Sequence, residues 1–217
     1  MNPRTKQLTV LAMLTAIAYV VMYLSKALPS VYDFLDFDFK DTIICIGGFV
    51  FGPVAAAAVS VAVAFIEMVT ISTTGPWGFL MNALATCAFC CTASYIYKKR
   101  HTMKGAVVGL ICGTVMLTIA MLLWNYLATP IYLSMPRAAI VDLLVPVFLP
   151  FNLVKGGMNM AAILLLYKPV VTALRKAGLV APSQNTQARK FSTGFLLFSL
   201  VLLVTFVFLG LVLAGVL

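Results

Sequence analysis

Twenty-seven consecutive residues, Phe191 to Leu217, carry no charged side chain. Such a stretch is stable as a helix crossing a hydrocarbon layer ~30 Å thick, where only helices and closed barrels satisfy their own backbone hydrogen bonds. The rest of the chain repeats the pattern, with apolar runs separated by short basic or aromatic loops. Hydrophobic residues make up 63% of the 217 and charged residues 10%, against roughly 25% charged in a soluble domain. The chain therefore reads as an all-α integral membrane protein embedded in the lipid bilayer, with no separate soluble domain.

The apolar runs place the elements. A first span is expected over about Leu8 to Lys26; no small-residue cleavage site follows Met1–Lys6, so this span is expected to be retained. Thr42 to Phe51 is too short for a standard span and contains Gly47-Gly48, which suggests a short, closely packed second helix. Pro53 suits the first turn of a third helix ending near Thr70. Ser72–Gly78 has turn chemistry, and a fourth helix follows from about Phe79 to Tyr97. The fifth covers about Gly105 to Leu127. Residues 128–145 are expected to form a loop with a short interfacial helix, and the sixth span runs from about Pro150 to Tyr167. A polar linker over residues 179–190 separates this six-helix domain, residues 1–178, from the additional span at 191–217.

Charge sets the orientation. The net charge of +9 would suit nucleic acid, but the basic residues sit at the ends of apolar runs, where the positive-inside rule places them. Nucleic acid is therefore not an expected partner. Threading the helices puts eleven basic residues, among them Lys98, Lys99, Arg100, Lys104, Arg175 and Lys176, on the side of the N-terminus. Three, Lys26, Lys40 and Arg137, fall opposite. This predicts a cell-membrane protein with a cytoplasmic N-terminus and an outer C-terminus. Four of the six acidic residues lie in the aromatic loop 28–41, read either as a lid over a site or as an interfacial belt with solvated charges.

Lys155 is the one basic residue that this threading leaves inside a span. A lysine at bilayer depth is disfavoured by roughly 2.5–3.5 kcal/mol on insertion scales, and it normally faces a bundle interior, a cavity or a counter-ion. Asn152, Lys155 and Asn159 share one helical face at i, i+3 and i+7. Glu67, Asn82, Asn125, Asn152 and Lys155 all fall in the outer parts of their helices and are expected to converge on one outward pocket. Amides, a carboxylate and an ammonium supply the donors and acceptors that a flat polar heterocycle requires. Mutual hydrogen bonding between helices is the structural alternative.

No Ser-His-Asp, Cys-His, H-E-x-x-H, paired-carboxylate or Gly-rich phosphate motif accompanies these groups, so the chain reads as a binding protein and not an enzyme, without cofactor or metal. The five cysteines fall within apolar segments; Cys87 and Cys90 form a C-x-x-C with no second pair or histidine beside it. Any active transport would need an energising partner. Ala12 and Ala16 form a small-xxx-small pair suited to close helix approach, within the bundle or against another protein.

Phe37-Asp38-Phe39-Lys40-Asp41, Gly75-Pro76-Trp77-Gly78, Asn125-Tyr126 and Pro150-Phe151-Asn152-Leu153-Val154-Lys155-Gly156 resemble the riboflavin-specific S component of energy-coupling-factor (ECF) transporters, over roughly residues 8 to 175. The resemblance implies a compact six-helix bundle that captures riboflavin from outside, between the outer halves of helices four to six and under the first loop. It implies hydrogen bonds from Asn125, Asn152 and Lys155 to the isoalloxazine ring, with Glu67, Gly75, Trp77 and Asn82 as further lining. It also implies that Ala12 and Ala16 meet the transmembrane T component, and that two ATPase subunits drive a cycle in which the S component topples in the membrane. The seventh span departs from the family's six. An S component for another vitamin or heterocycle, and an intramembrane enzyme or assembly factor, are the alternatives.

Overall fold

The computed structural model describes residues 3–32, 35–180 and 193–217. Asp33 and Phe34 of the aromatic loop, and the polar linker with the start of the last apolar run, lie outside the described residues. The elements are α1 (Pro3–Ser25), α2 (Lys40–Phe51), α3 (Pro53–Thr70), α4 (Gly75–Arg100), α5 (Met103–Leu127), α6 (Thr129–Tyr132), α7 (Arg137–Leu143), a π-helical turn (Leu144–Phe148), α8 (Leu149–Lys176) and α9 (Thr193–Leu213). Among the described residues, six helices are long and apolar enough to cross a membrane: α1, α3, α4, α5, the continuous Arg137–Lys176 and α9. The protein is an all-α, multi-pass membrane protein.

With 12 residues, α2 is the short helix that its sequence predicts. At about 1.5 Å per residue it falls well short of a bilayer, and it sits instead in the middle of the bundle. Its two central glycines explain how. A Cβ at Gly47 would stand 3.0 Å from Leu14 of α1, and one at Gly48 would stand 2.9 Å from the Ala56 Cβ of α3 while overlapping Ser94 of α4. Ile44, Cys45, Ile46 and Phe49 therefore reach the core shared with Val63, Phe89, Leu110 and Ile163. Gly52, at φ +95°, makes the reversal between α2 and α3 that an L side chain would resist.

Helices α4 and α5 form the tightest hairpin. Gly109 and Gly113 recur four residues apart on α5; a Cβ at the first would meet the Ala93 carbonyl oxygen at 2.8 Å, and at the second the Phe89 carbonyl oxygen at 2.7 Å. The two backbones touch, as small residues permit in helix pairs within a membrane.

Three expectations about boundaries change. The Gly75–Gly78 stretch is the first turn of α4 and not a turn preceding it, because Pro76 falls where a helix has no N–H to satisfy. The sixth span does not begin at Pro150. The helix is continuous from Arg137, and the π turn before α8 shifts the hydrogen-bond register across Pro146 and Pro150, with the Leu149 N–H donating to the Leu144 carbonyl. Nor does it stop at Tyr167: α8 passes Pro169 because Val171 and Leu174 beyond it are buried in the core.

The bundle has two unlike ends. At one, Lys98, Lys99 and Arg100 close α4, Arg175 and Lys176 close α8, and Phe49, Tyr97 and Tyr167 fill the interior, the tyrosine hydroxyls 2.8 Å apart. At the other, the 35–39 segment folds back over α8 and a cavity opens. The N-terminus of α1 lies at the basic end and the C-terminal part of α9 at the cavity end, where Gly210 approaches Phe37.

Candidate ligand-binding site

The cavity, about 160 Å³ on a scale where one water needs roughly 10–15 Å³, lies between α1, α3, α4, α5, α8 and the 35–38 segment. Its lining includes Glu67, Asn82, Asn125, Asn152 and Lys155, together with Asp36, Phe37, Asp38, Ser72, Thr73 and Thr74. Gly75 and Trp77 are not on that lining. Trp77 is half-exposed, with its ring centroid 6.3 Å from that of Trp124 and 6.2 Å from that of Tyr132.

The charged groups form one buried network. Lys155 Nζ donates to Asp38 Oδ2 at 2.7 Å and approaches the Asp36 carbonyl oxygen at 3.4 Å. Lys40 Nζ lies 3.5 Å from the same Asp38 oxygen and donates to Glu67 Oε2 at 3.1 Å. Burial pushes the Asp38 carboxyl up, yet the Lys155 and Lys40 ammoniums hold it well below the usual carboxylate range. The network thus joins α3, α8 and the 35–41 segment by buried ion pairs.

This overturns the reading of residues 28–41 as a belt of solvated charges. Asp38, Lys40 and Asp41 are at least nine-tenths buried, and Asp41 accepts from the Thr86 hydroxyl at 2.7 Å. Lys40 is therefore not an exposed outer charge. Among the described charges of this region, the rim pair Lys26 with Asp36 is partly exposed as expected. Asn159 ties the same segment down: its amide nitrogen donates to the Asp38 carbonyl oxygen at 2.8 Å, and its oxygen accepts from the Thr42 hydroxyl at 2.8 Å. Ser60, on the face of Glu67, bonds the Ala56 carbonyl of its own helix and stays off the lining.

The amides differ in what they have left to offer. Asn125 donates to the Met121 carbonyl oxygen and accepts from the Thr129 hydroxyl, at 2.7 and 2.8 Å. Asn152 donates to the Phe148 carbonyl oxygen at 2.7 Å, which leaves its side-chain oxygen and second N–H without a protein partner among the described residues. Asn82 makes no hydrogen bond among them. An ammonium has three donors, so among the described residues Lys155 keeps one beyond Asp38 and Asp36. These unspent groups face apolar walls from Phe37, Phe151, Met22, Met81, Met121 and Leu117, the two phenyl rings 4.8 Å apart by centroid. The site suits a flat molecule with a hydrogen-bonding edge and apolar faces.

No group of three or more potential metal ligands occurs among the described residues, and the five cysteines are free thiols. Cys90 lies in the core beside the Asp41 carbonyl.

A polytopic bundle with one closed end and a polar-edged cavity at the other defines a membrane-embedded solute-binding protein. Residues 6–167 match the sequence model of the ECF transporter, substrate-specific component family. The chain is 32% identical over 162 residues to the riboflavin transporter FmnP of Bacillus subtilis, a match covering 70% of this chain and 85% of that protein. It is 30% identical over 182 residues to the riboflavin transporter RibU of Streptococcus thermophilus, covering 79% and 86%. A solved structure of the S component of a bacterial ECF transporter superposes with a TM-score of 0.68 at 30% identity, covering 79% of this chain and 99% of that one. The chain belongs to the family of ECF transporter substrate-specific components, transport proteins rather than enzymes.

Proposed function

We propose that this protein captures riboflavin from outside the cell and delivers it inward with a transmembrane T component and two ATPase subunits. The observation that carries the ligand is the pairing of unspent donors and acceptors on Asn82, Asn152 and Lys155 with the Phe37–Phe151 wall. Isoalloxazine matches it: an apolar tricycle whose pyrimidine edge alternates carbonyl acceptors with an N–H donor. The relatives named as riboflavin transporters support the same ligand. Asn125 completes the polar edge, Glu67 acts through Lys40, Gly75 follows the lining residue Thr74 in the chain, and Trp77 packs on Trp124 and Tyr132 off the lining. Riboflavin is cargo here and not a resident cofactor.

The basic end is assigned to the cytoplasm by the positive-inside rule, which turns the cavity outward with the C-terminus. The test of the ligand is the absorbance spectrum of the protein purified from riboflavin-supplied cells. Flavin bands in stoichiometric amount are expected; a flavin-free protein that retains another heterocycle would transfer the architecture to a different vitamin.

Delivery needs a docking face. Ala12 and Ala16 are exposed on α1, while Leu14 and Ala18 turn into the bundle, so the pair is free to meet another helix at close range. Replacing either alanine by leucine is expected to leave riboflavin affinity unchanged and to cut uptake by whole cells severalfold. Normal uptake by both variants would remove α1 from the docking surface.

A further inference from the structure

Helix α9 lies beyond the family match, which ends at residue 167, yet it reaches the binding site. One face of it turns inward. Phe195, Ser199, Phe206 and Gly210 recur at i, i+4, i+11 and i+15 and are buried or half-buried, while Phe198, Val201 and Phe208 on the remaining surface are exposed.

Two inward contacts bear on the cavity. Gly157 of α8 leaves a notch that the Phe206 ring occupies so fully that a Cβ at Gly157 would overlap it. One turn further on, Gly210 is buried against the cavity wall: a Cβ placed there would stand 3.4 Å from Phe37 Cε2 and 3.6 Å from Met158 Sδ. Phe37 is thus held between α9 on its outer side and Phe151 on its inner side, its ring lining the cavity. The next residue, Asp38, is the counter-ion of Lys155.

We propose that α9 is a positioning helix for the ligand site, whose Phe206 and Gly210 hold Phe37 and the 35–39 wall against the cavity and so slow ligand release. Without the Phe206 ring in its notch, α9 loses its register on α8, and the wall loses the surface behind Phe37. No new contact to the ligand is involved, so the effect falls on dissociation and not on encounter. The kinetic half of this inference rests on riboflavin capture; the positioning half does not.

The test uses the full chain with Phe206→Ala. In the ligand-free protein, hydrogen–deuterium exchange over residues 35–41 is expected to quicken severalfold while the α4–α5 hairpin keeps its protection. Stopped-flow release of riboflavin is expected to quicken severalfold as well, with an association rate changed by less than about twofold. Phe206→Leu, which refills part of the notch, returns both quantities toward wild type. Unchanged exchange over 35–41 overturns the proposal. So does protection lost evenly across the bundle, since Phe206 would then be a general packing residue. A wild-type protein that binds no riboflavin removes the capture reading alone, and the exchange measurement still decides the role of α9.

Discussion

Asp38→Ala is expected to lower the stability of the detergent-solubilised protein by about 3–5 kcal/mol, the usual consequence of leaving a buried charge without its partner. Asp38 is the shared counter-ion of Lys155 at 2.7 Å and Lys40 at 3.5 Å. Its removal affects the two lysines unequally. Lys40 keeps Glu67 at 3.1 Å, whereas Lys155 is left with the Asp36 carbonyl at 3.4 Å. Lys155→Met alone is expected to cost less, because Asp38 retains Lys40. Combining the two substitutions removes an opposite pair of charges and is expected to recover part of the stability lost in Asp38→Ala. Thermal unfolding of the three variants checks this as a double-mutant cycle; an Asp38→Ala protein as stable as wild type would show that the network is not a structural joint.

Gly113→Leu is the second large effect, and it acts far from any charge. The added Cβ would meet the Phe89 carbonyl oxygen at 2.7 Å, and a backbone atom cannot rotate away as a side chain does. The α4–α5 hairpin must separate, so a loss at the upper end of the ~1–3 kcal/mol typical of overpacking is expected, with a lower yield of monodisperse protein. Val108→Leu, on the exposed side of the same helix, is expected to be nearly neutral. Equal melting temperatures for the two variants would contradict the close packing of α4 on α5.

How much of this could be read from the chain follows from the range of each interaction. The spans are local properties of hydropathy, and they are legible to within a turn or two. The exceptions are proline signals: Pro76 opens a helix, Pro150 is absorbed by a π turn, and Pro169 is overridden by burial of the residues after it. Lys155 and Asn152 stand out because polar groups on a greasy helix need a reason. Gly109 and Gly113 carry the same kind of local signal, a four-residue spacing on one helix face at the hairpin contact, whereas the same spacing at Ala12 and Ala16 falls on an exposed face of α1.

The counter-ion of Lys155 is not legible in this way. Asp38 sits among alternating aromatics and aspartates that would suit a solvated interfacial loop equally well, and its partner is 117 residues distant. Only the fold-back of 35–41 between α3 and α8 makes Asp38 and Lys40 interior groups. The Ser72–Thr74 rim is hidden for a related reason: its residues reach the cavity through the chain reversal from α3 to α4 and not through a helical face. Trp77 illustrates the converse, since a tryptophan in a characteristic motif packs here on Trp124 and Tyr132 outside the lining.

The central claim, that Asn152 and Lys155 present the hydrogen-bonding edge of a riboflavin site, is tested most directly by titrating the purified protein with riboflavin and following quenching of flavin fluorescence. Saturable binding at one riboflavin per chain is predicted for wild type, weakened by roughly 1–3 kcal/mol, or about 5- to 150-fold in Kd, in Asn152→Ala and in Lys155→Ala, as expected when a buried polar edge loses its partner. Unchanged affinity in both variants would contradict the account.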